Sequence, residues 1–384
     1  MKRYLIFLLS LLLLALSSCK KTVYLVKTIY LDSAFSIVPL VRVVATKEEL
    51  AKLDSLGEEL SAITNELDDI FNPNPKVNKP ASVVMQINAN AGISPVSVSD
   101  EVIMVIDEAL KVSQETIVEG VALYDISILP VWERWLFQLK YYNPLEDNRD
   151  TIPSQETIDE VLPLVDYQKV IVDHENKTVF LSEVGMKIDL GSIVKGYACD
   201  KIKAYLLSKG LTRAIIDVGG NIMTMGYNHY DGKDHEWPIK VQTPYVNVYT
   251  PDYQNLKYIG SFYDSSITVV SSGVYERYIK TVDDLEYHHI LDPRTGYPLD
   301  SGLLSVTIIT DISMNADAYS TAVFSLGLDK GMKLVNNHPE IEAIFVTKDK
   351  KIYISQGMEG RFIFNEAIKT LGYSYQGVYN EVSN

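Results

Sequence analysis

Four segments combine residue types and spacings that could do chemistry. Asp317 and Thr321 stand four apart in the run Asn315 to Thr321, so a helix puts them on one face, with Ser320 alongside. A carboxylate with hydroxyls offers the hard oxygen ligands that Mg²⁺ takes, with phosphate oxygens completing its shell. The same residues can equally serve the helix itself, Asp317 as a dipole partner and Thr321 bonding back to a carbonyl. His288 and His289 close an expected strand and enter Asp292-Pro293-Arg294-Thr295-Gly296, a turn by composition. Adjacent strand residues face opposite ways, so only one His can point into a given cleft. That imidazole is either a proton-transfer group near neutral pH or a hydrogen-bonded structural residue.

The third segment runs from Asp189 to Asp200. Gly191 and Gly196 allow close backbone approach, and Lys195 falls early in the following helix, where anions are favoured. A Lys there can pair with phosphate as a point charge. The spacing is not that of a G-x-x-x-x-G-K-[ST] phosphate loop, and a capped helix with a surface Lys accounts for it as well. The fourth segment, Asp217 to Asn221, ends a strand in Gly219-Gly220, which lets a ligand lie against the backbone or simply makes a hairpin turn.

These residues need elements to hold them. Ser36–Ala45 is apolar and β-branched, a strand. Thr46 with Glu49 is a capping box opening a helix in which Leu50, Leu53, Leu56, Leu60, Ile63 and Leu67 recur at helical spacing. A turn-rich loop follows from Asn72 to Ala81. Helices are expected at Ser99–Thr116, Val131–Leu139, Gly191–Lys209, Ser313–Leu326 and near Lys330–Asn337. Gly210 is the expected C-cap of the third of these. Strands are expected at Val170–Asp173, Thr178–Ser182, Ala214–Val218, Ile222–Gly226, Tyr258–Phe262, Ile267–Ser271, Tyr287–Leu291 and Leu303–Thr310. Ala343–Val346 and Ile352–Ile354 form a hairpin around Lys348–Lys351. Strands and helices cluster without strict alternation, which favours an α+β fold over a doubly wound sheet. No Pro/Gly/Ser linker divides the chain, so one compact catalytic domain is expected over 31–384.

Composition narrows the function class. The chain has 384 residues, 47% hydrophobic and 22% charged, which excludes disorder as the main state. Its net charge of −15 disfavours nucleic acid and anionic lipid as nonspecific partners. A local phosphate site built around a metal remains compatible with that field. The start, with Lys2-Arg3, an uncharged run from Tyr4 to Leu16 and Leu16-Ser17-Ser18-Cys19, resembles a bacterial lipobox. It implies a signal peptide over 1–18, lipidation at Cys19 and a tether over 19–30. Removing Lys2 and Arg3 with that leader leaves 33 basic residues against 50 acidic and a net charge of −17. The expected location is extracytoplasmic, lipid-anchored to a bacterial membrane. Cys199 then has no intramolecular partner and is expected to be a small buried residue.

Together the segments resemble the FAD:protein FMN transferases, the ApbE family of flavin transferases. The resemblance runs from about Leu31 to Gly372. It rests on Asp189-Leu190-Gly191 with Lys195-Gly196-Tyr197-Ala198 and Asp200, on His289-Ile290 with Asp292-Pro293, Thr295-Gly296 and Pro298, and on Ala316-Asp317-Ala318 with Ser320-Thr321. Val218 to Asn221 and Ser271-Ser272-Gly273 with Arg277 add to it.

The resemblance implies a T-fold-related α+β domain, Mg²⁺ dependence and FAD as donor. FMN would pass to a Thr or Ser of an acceptor protein, such as a membrane redox-complex subunit, with release of AMP. By position it makes Asp317 and Thr321 metal ligands, with Ser320 adjacent and Ser192 a further ligand, often through backbone oxygen. It places Asp189, Lys195, Ile290 and Leu123-Tyr124-Asp125 against FAD, and makes His289 the catalytic His. Asp292 is a second catalytic candidate, which either orients His289 or caps its turn. Three departures touch the flavin contacts more than the phosphate and metal site: Ile126-Ser127 after Asp125 instead of Pro-Thr, Ser271 for a usual Thr, and Phe71 where relatives carry a Tyr facing the flavin. Two other functions compete. One is an FAD pyrophosphatase giving FMN and AMP, and the other a lipid-anchored flavin- or solute-binding protein without catalysis.

Overall fold

The computed structural model describes residues 22–143 and 146–380. The lipobox, Cys19 included, lies outside the described residues.

Nine strands form one sheet, and their order across it is their order in the chain. They are Tyr24–Tyr30, Leu40–Thr46, Ala214–Val218, Asn221–Met225, Thr268–Gly273, Leu303–Thr310, Glu342–Thr347, Lys351–Ile354 and Ser374–Val378. All neighbours are antiparallel except the last pair. Three of the eight connections are short closures, at 31–39, 219–220 and 348–350, and the functional segments enter as excursions in the longer ones. The largest, residues 47–213, carries the helices Leu56–Phe71, Asp100–Glu115 and Val194–Ser208. Val194–Ser208 and the helix Ser313–Asn337 lie on the sheet over a contiguous apolar core, with Leu56–Phe71 packed on the first and Asp100–Glu115 on the second. A smaller core around Trp135, Phe137, Ile279 and Leu291 sits under the loop that carries His289. This is the expected α+β arrangement in one domain.

Local chemistry sets most boundaries as expected. The Ser99 hydroxyl accepts from Val102 N–H and starts Asp100–Glu115. The Thr46–Glu49 capping box is present.

Four expectations are corrected. Tyr24–Tyr30 is not a tether but the sheet's first strand, with Ile29 buried in the core. The helix from Thr46 does not run on: Lys47–Leu50 stops, and Leu56–Phe71 begins afresh. At the break the Leu53 carbonyl accepts from Leu56 N–H (3.3 Å) and from Lys27 Nζ (3.3 Å), and Leu53 and Leu56 are both buried. Leu136, at φ 54°, splits the expected Val131–Leu139 helix into Leu129–Trp135 and Phe137–Lys140. Finally, Glu286–His288 is the whole of the strand expected to reach Leu291, so His289 and Ile290 leave the ladder. The two C-terminal helices are separate as expected, broken at Gly327 within the span Ser313–Asn337. There φ is 75° and a Cβ would stand 2.7 Å from Ser301 O, so only glycine fits.

Candidate active site

The helices Val194–Ser208 and Ser313–Asn337 pack against each other and bring Lys195 to Asp317. Lys195 Nζ lies 3.3 Å from Asp317 Oδ1, and the same ammonium donates to the Gly191 carbonyl. Gly196 N–H donates to Asp317 Oδ2 at 3.0 Å. Asp317 is only 4% exposed, so its charge is held by an ammonium and an amide, not by water. Asp200, one turn along the same helix as Gly196, accepts from Ser313 N–H (3.0 Å) and Met314 N–H (2.8 Å). It therefore caps the helix that carries Asp317, which supplies no cap of its own.

The hydroxyls stand beside this pair. Ser320 Oγ donates to Asp317 O (2.8 Å) and is 2.8 Å from Ser272 Oγ. Thr321 Oγ1 is 3.4 Å from the same Ser272 Oγ. Ser192 Oγ donates to Tyr124 OH at 3.0 Å. Asp189 sits behind, accepting from Gly191 N–H at 2.8 Å. Burial pushes its carboxyl above the usual range, against the pull of that amide and of Lys195.

His289 approaches from the other side. Its ring is half-buried, edge-on to Phe137 at 6.5 Å, and its Nδ1 is 3.1 Å from Arg277 O. A carbonyl only accepts, so Nδ1 carries the proton and Nε2 is left as an acceptor. Desolvation, helped by the charge of Arg277, pushes the imidazole pKa down to about 3. His288 points away into a separate, smaller pocket with Tyr245 and Lys348.

Asp292 does not orient His289. Its oxygens accept from Arg294 N–H (2.9 Å), Nε (2.9 Å) and an η-nitrogen (2.7 Å), so it closes the turn. Trp135 Nε1 fixes the same turn by donating to Gly296 O at 2.8 Å.

A cleft of about 700 Å³ joins these groups. Leu123, Tyr124, Asp125, Asp189, Ser192, Lys195, His289, Ile290, Asp317, Ser320 and Thr321 all line it; of the expected site residues described, only Asp292 does not. Asp125 turns its carboxylate inward to Ser127 N–H (2.8 Å), Ser127 Oγ (2.6 Å) and Tyr167 N–H (2.9 Å). Burial still wins and raises it to about 6. Phe71 lies in the core, edge-on to Tyr197, and is not a cleft residue. Gly219, Gly220 and Asn221 line the cleft as the fourth segment suggested. Asn221 Oδ1 is buried there without a partner, an acceptor available to a ligand.

Sequence reasoning assigned no role to Ser272, to the Arg277 carbonyl or to Asp200. All three lie within the motifs that carry the family resemblance. Nothing in those motifs says that Ser272 and Arg277 meet Ser320 and His289.

The arrangement is an acidic, hydroxyl-rich pocket beside a lysine, facing a neutral imidazole across a ligand-sized cleft. It suits transfer of a phosphate-linked group. Comparison with known proteins agrees. The ApbE family profile matches residues 37–345. An FAD:protein FMN transferase of Klebsiella pneumoniae (strain 342) is 36% identical over 313 residues, 82% of this chain and 90% of that protein. One of Treponema pallidum is 30% identical over 328 residues, 83% of this chain and 84% of its own. The crystal structure of the ApbE protein of Thermotoga maritima superposes with a TM-score of 0.67 at 30% identity, covering 92% of this chain and all of that one. The flavin transferase ApbE of Vibrio cholerae gives 0.69 at 22% identity, covering 88% and 100%, a likeness of fold. The chain belongs to the ApbE family.

Proposed function

We propose that this protein transfers FMN from FAD to a Thr or Ser hydroxyl of an acceptor protein and releases AMP. The observation that carries the reading is that Asp317, Lys195 and His289, from three separate parts of the chain, line one cleft.

The donors around Asp317 are all oxygen: one buried carboxylate, the hydroxyls of Ser320 and Thr321, and the Gly191 carbonyl, which shares the Lys195 ammonium with Asp317. That set fits Mg²⁺, which takes one or two carboxylates and fills its shell with water and phosphate. When bound there, Mg²⁺ offsets charge on the pyrophosphate and on the leaving AMP. Lys195 supplies a second positive charge. Leu123 and Ile290 give apolar wall for the rings of FAD, and Asn221 Oδ1 an acceptor for a ligand N–H.

His289 takes the proton. Its Nδ1–H is tied to Arg277 O, which aims Nε2 as a base. The acceptor oxygen bonds to the phosphorus on the riboflavin side, the anhydride bond to the AMP phosphate breaks, and AMP leaves with that electron pair. The hydroxyl proton passes to Nε2 and then to solvent. Such a transfer depends on alignment and charge more than on covalent help from the protein. Water in the acceptor's place makes the same cleft an FAD pyrophosphatase.

The test is to incubate the protein with FAD, Mg²⁺ and a Thr-bearing acceptor protein. AMP should appear, and flavin fluorescence should follow the acceptor on a denaturing gel. AMP without labelled protein points to the hydrolase. Tight FAD binding with no AMP defeats both readings and leaves a flavin-binding protein.

We also propose that the protein works outside the cytoplasm, held by lipid on Cys19. Lys2-Arg3, the apolar run and Leu16 to Cys19 support this. Cys19→Ala should move the protein from the membrane fraction to the soluble fraction; unchanged membrane retention refutes the anchor.

A further inference from the structure

The cleft has a limb that the transfer chemistry above does not use. All six residues of the strand Trp237–Gln242 line it. A strand face would contribute only alternate residues. Six in succession mean that the strand turns its edge to the cleft. It is an edge: in its three-stranded sheet Tyr258–Asp264 lies in the middle and Ile363–Phe364 on the far side.

An edge strand presents unpaired N–H and C=O groups. Thr243 N–H donates to Lys257 O (3.0 Å) on the paired side. Alternation along an antiparallel strand then sends the backbone groups of Pro238, Lys240 and Gln242 to the open side. Proline, which has no N–H, is tolerated at such a place.

The limb is also cationic. Arg42 pairs with Ile215, and Ile215 with Thr224, a row across the main sheet that lines the cleft. Arg42 and Lys240 are exposed, and among the described residues neither has an ion-pair partner, in a chain with 50 acidic residues. They line the cleft apart from the Lys195–Asp317 pair, where the phosphates of FAD are proposed to sit. Arg42 lies three strands, about 14 Å, across from the strand of Ser272, and its row meets that strand at Ile267, five residues or about 17 Å short of Ser272, which touches Ser320.

We propose that this limb docks the acceptor, whose extended segment adds to the open edge of Trp237–Gln242 as a fourth strand, with acidic residues near its Thr or Ser paired to Arg42 and Lys240. Strand addition of this kind takes affinity from backbone bonds and selectivity from side chains. The edge also leads to the chemistry. Just past its end the Tyr245 ring lies 6.0 Å from that of Tyr275, and Tyr275 is followed by Glu276 and by Arg277, whose carbonyl holds His289. The six residues span about 20 Å, enough to connect the Arg42 row with the His289 end.

The inference rests on the transferase reading. The experiment uses the mature chain with FAD, Mg²⁺ and two short synthetic Thr peptides, one flanked by Asp and one by Lys, and follows both AMP and flavin-labelled peptide. The Asp peptide should be labelled with a kcat/KM about 10-fold higher, and Lys240→Glu should reverse that preference. Gln242→Pro, which removes one outward N–H, should lower kcat/KM for the Asp peptide about 10-fold, as loss of one hydrogen bond does. Its FAD dissociation constant should not change, and Gln242→Ala, which keeps the N–H, should lose less kcat/KM than Gln242→Pro does. Lys240→Glu, at an exposed side chain, carries the test alone if Gln242→Pro does not fold. Equal labelling of both peptides, or Lys240→Glu retaining the wild-type preference, overturns the docking groove. Absence of AMP from the wild-type protein, or AMP with neither peptide labelled, is a different result and defeats the transferase reading itself.

Discussion

Gly196 and Asp317 fit together without room for a methyl group. Gly196 N–H donates to Asp317 Oδ2 at 3.0 Å, and a Cβ on Gly196 would stand 2.8 Å from Asp317 Cβ and 2.0 Å from Ser313 O. The glycine allows the two helices to close until a backbone amide orients the buried carboxylate.

Gly196→Ala should therefore harm both stability and activity. Overpacking of this kind costs about 1–3 kcal/mol, which thermal or urea unfolding reads. Because the clash is with the backbone at Ser313 and with Asp317 itself, the Mg²⁺ concentration needed for half-maximal AMP release should rise. A destabilised variant with unchanged Mg²⁺ dependence would separate the packing from the site.

Asp317→Asn keeps the shape and an acceptor for Gly196 N–H but removes the charge. The expected outcome is an intact fold and a fall in AMP release of about 10²–10³-fold, the scale on which one electrostatic contact to a transferring group acts. Full activity at ordinary Mg²⁺ concentration refutes the ligand assignment.

His289→Ala should keep FAD binding and lose about 10²–10⁴-fold in transfer. The pH dependence is more specific. With its pKa pushed down to about 3 in the free protein, His289 is already neutral at pH 5. The profile of kcat/KM, which reports the free enzyme, should show no acid limb near 6.5. Bound pyrophosphate favours the imidazolium, so the acid limb of kcat should fall at higher pH than that of kcat/KM. Titration of both between pH 4 and 8 checks the order. Stability carries the opposite mark of the same shift. The native state disfavours protonation that the unfolded chain accepts near 6.5, so this contribution is complete above 6.5 and declines as pH falls toward 3.

Asp292→Ala should behave as loss of a turn cap. About 1–2 kcal/mol of stability goes, since Arg294 N–H and its guanidinium lose their acceptor. AMP release by the folded variant should stay near wild type. A fall of 10²-fold in kcat at full folding would return Asp292 to the catalytic group.

Periodicity, caps and turn chemistry act within a few residues, and what depended on them was legible. Ser99 opens its helix, Thr46 and Glu49 make their box, and Gly327 breaks the C-terminal helix where the spacing between its two halves suggested. Residue type and spacing also singled out Asp317, Thr321, Lys195 and His289, and all four line one cleft, as does Ser320, which the family resemblance added. The family resemblance named their partners because motifs in order along a chain carry that information without geometry.

Tertiary structure decided the rest. The sequence offered Asp292 as a holder of His289 and gave no sign of the Arg277 carbonyl; Asp292 is nearer in sequence, but Arg294 occupies it and the carbonyl twelve residues upstream takes the ring. Asp200 caps a helix that starts 113 residues later, Ser272 meets Ser320 across 48, and Tyr24–Tyr30 becomes a strand because Leu40–Thr46 offers its edge. Such contacts have no local signature. They follow from burying one shared core, and that condition is set by the whole chain at once.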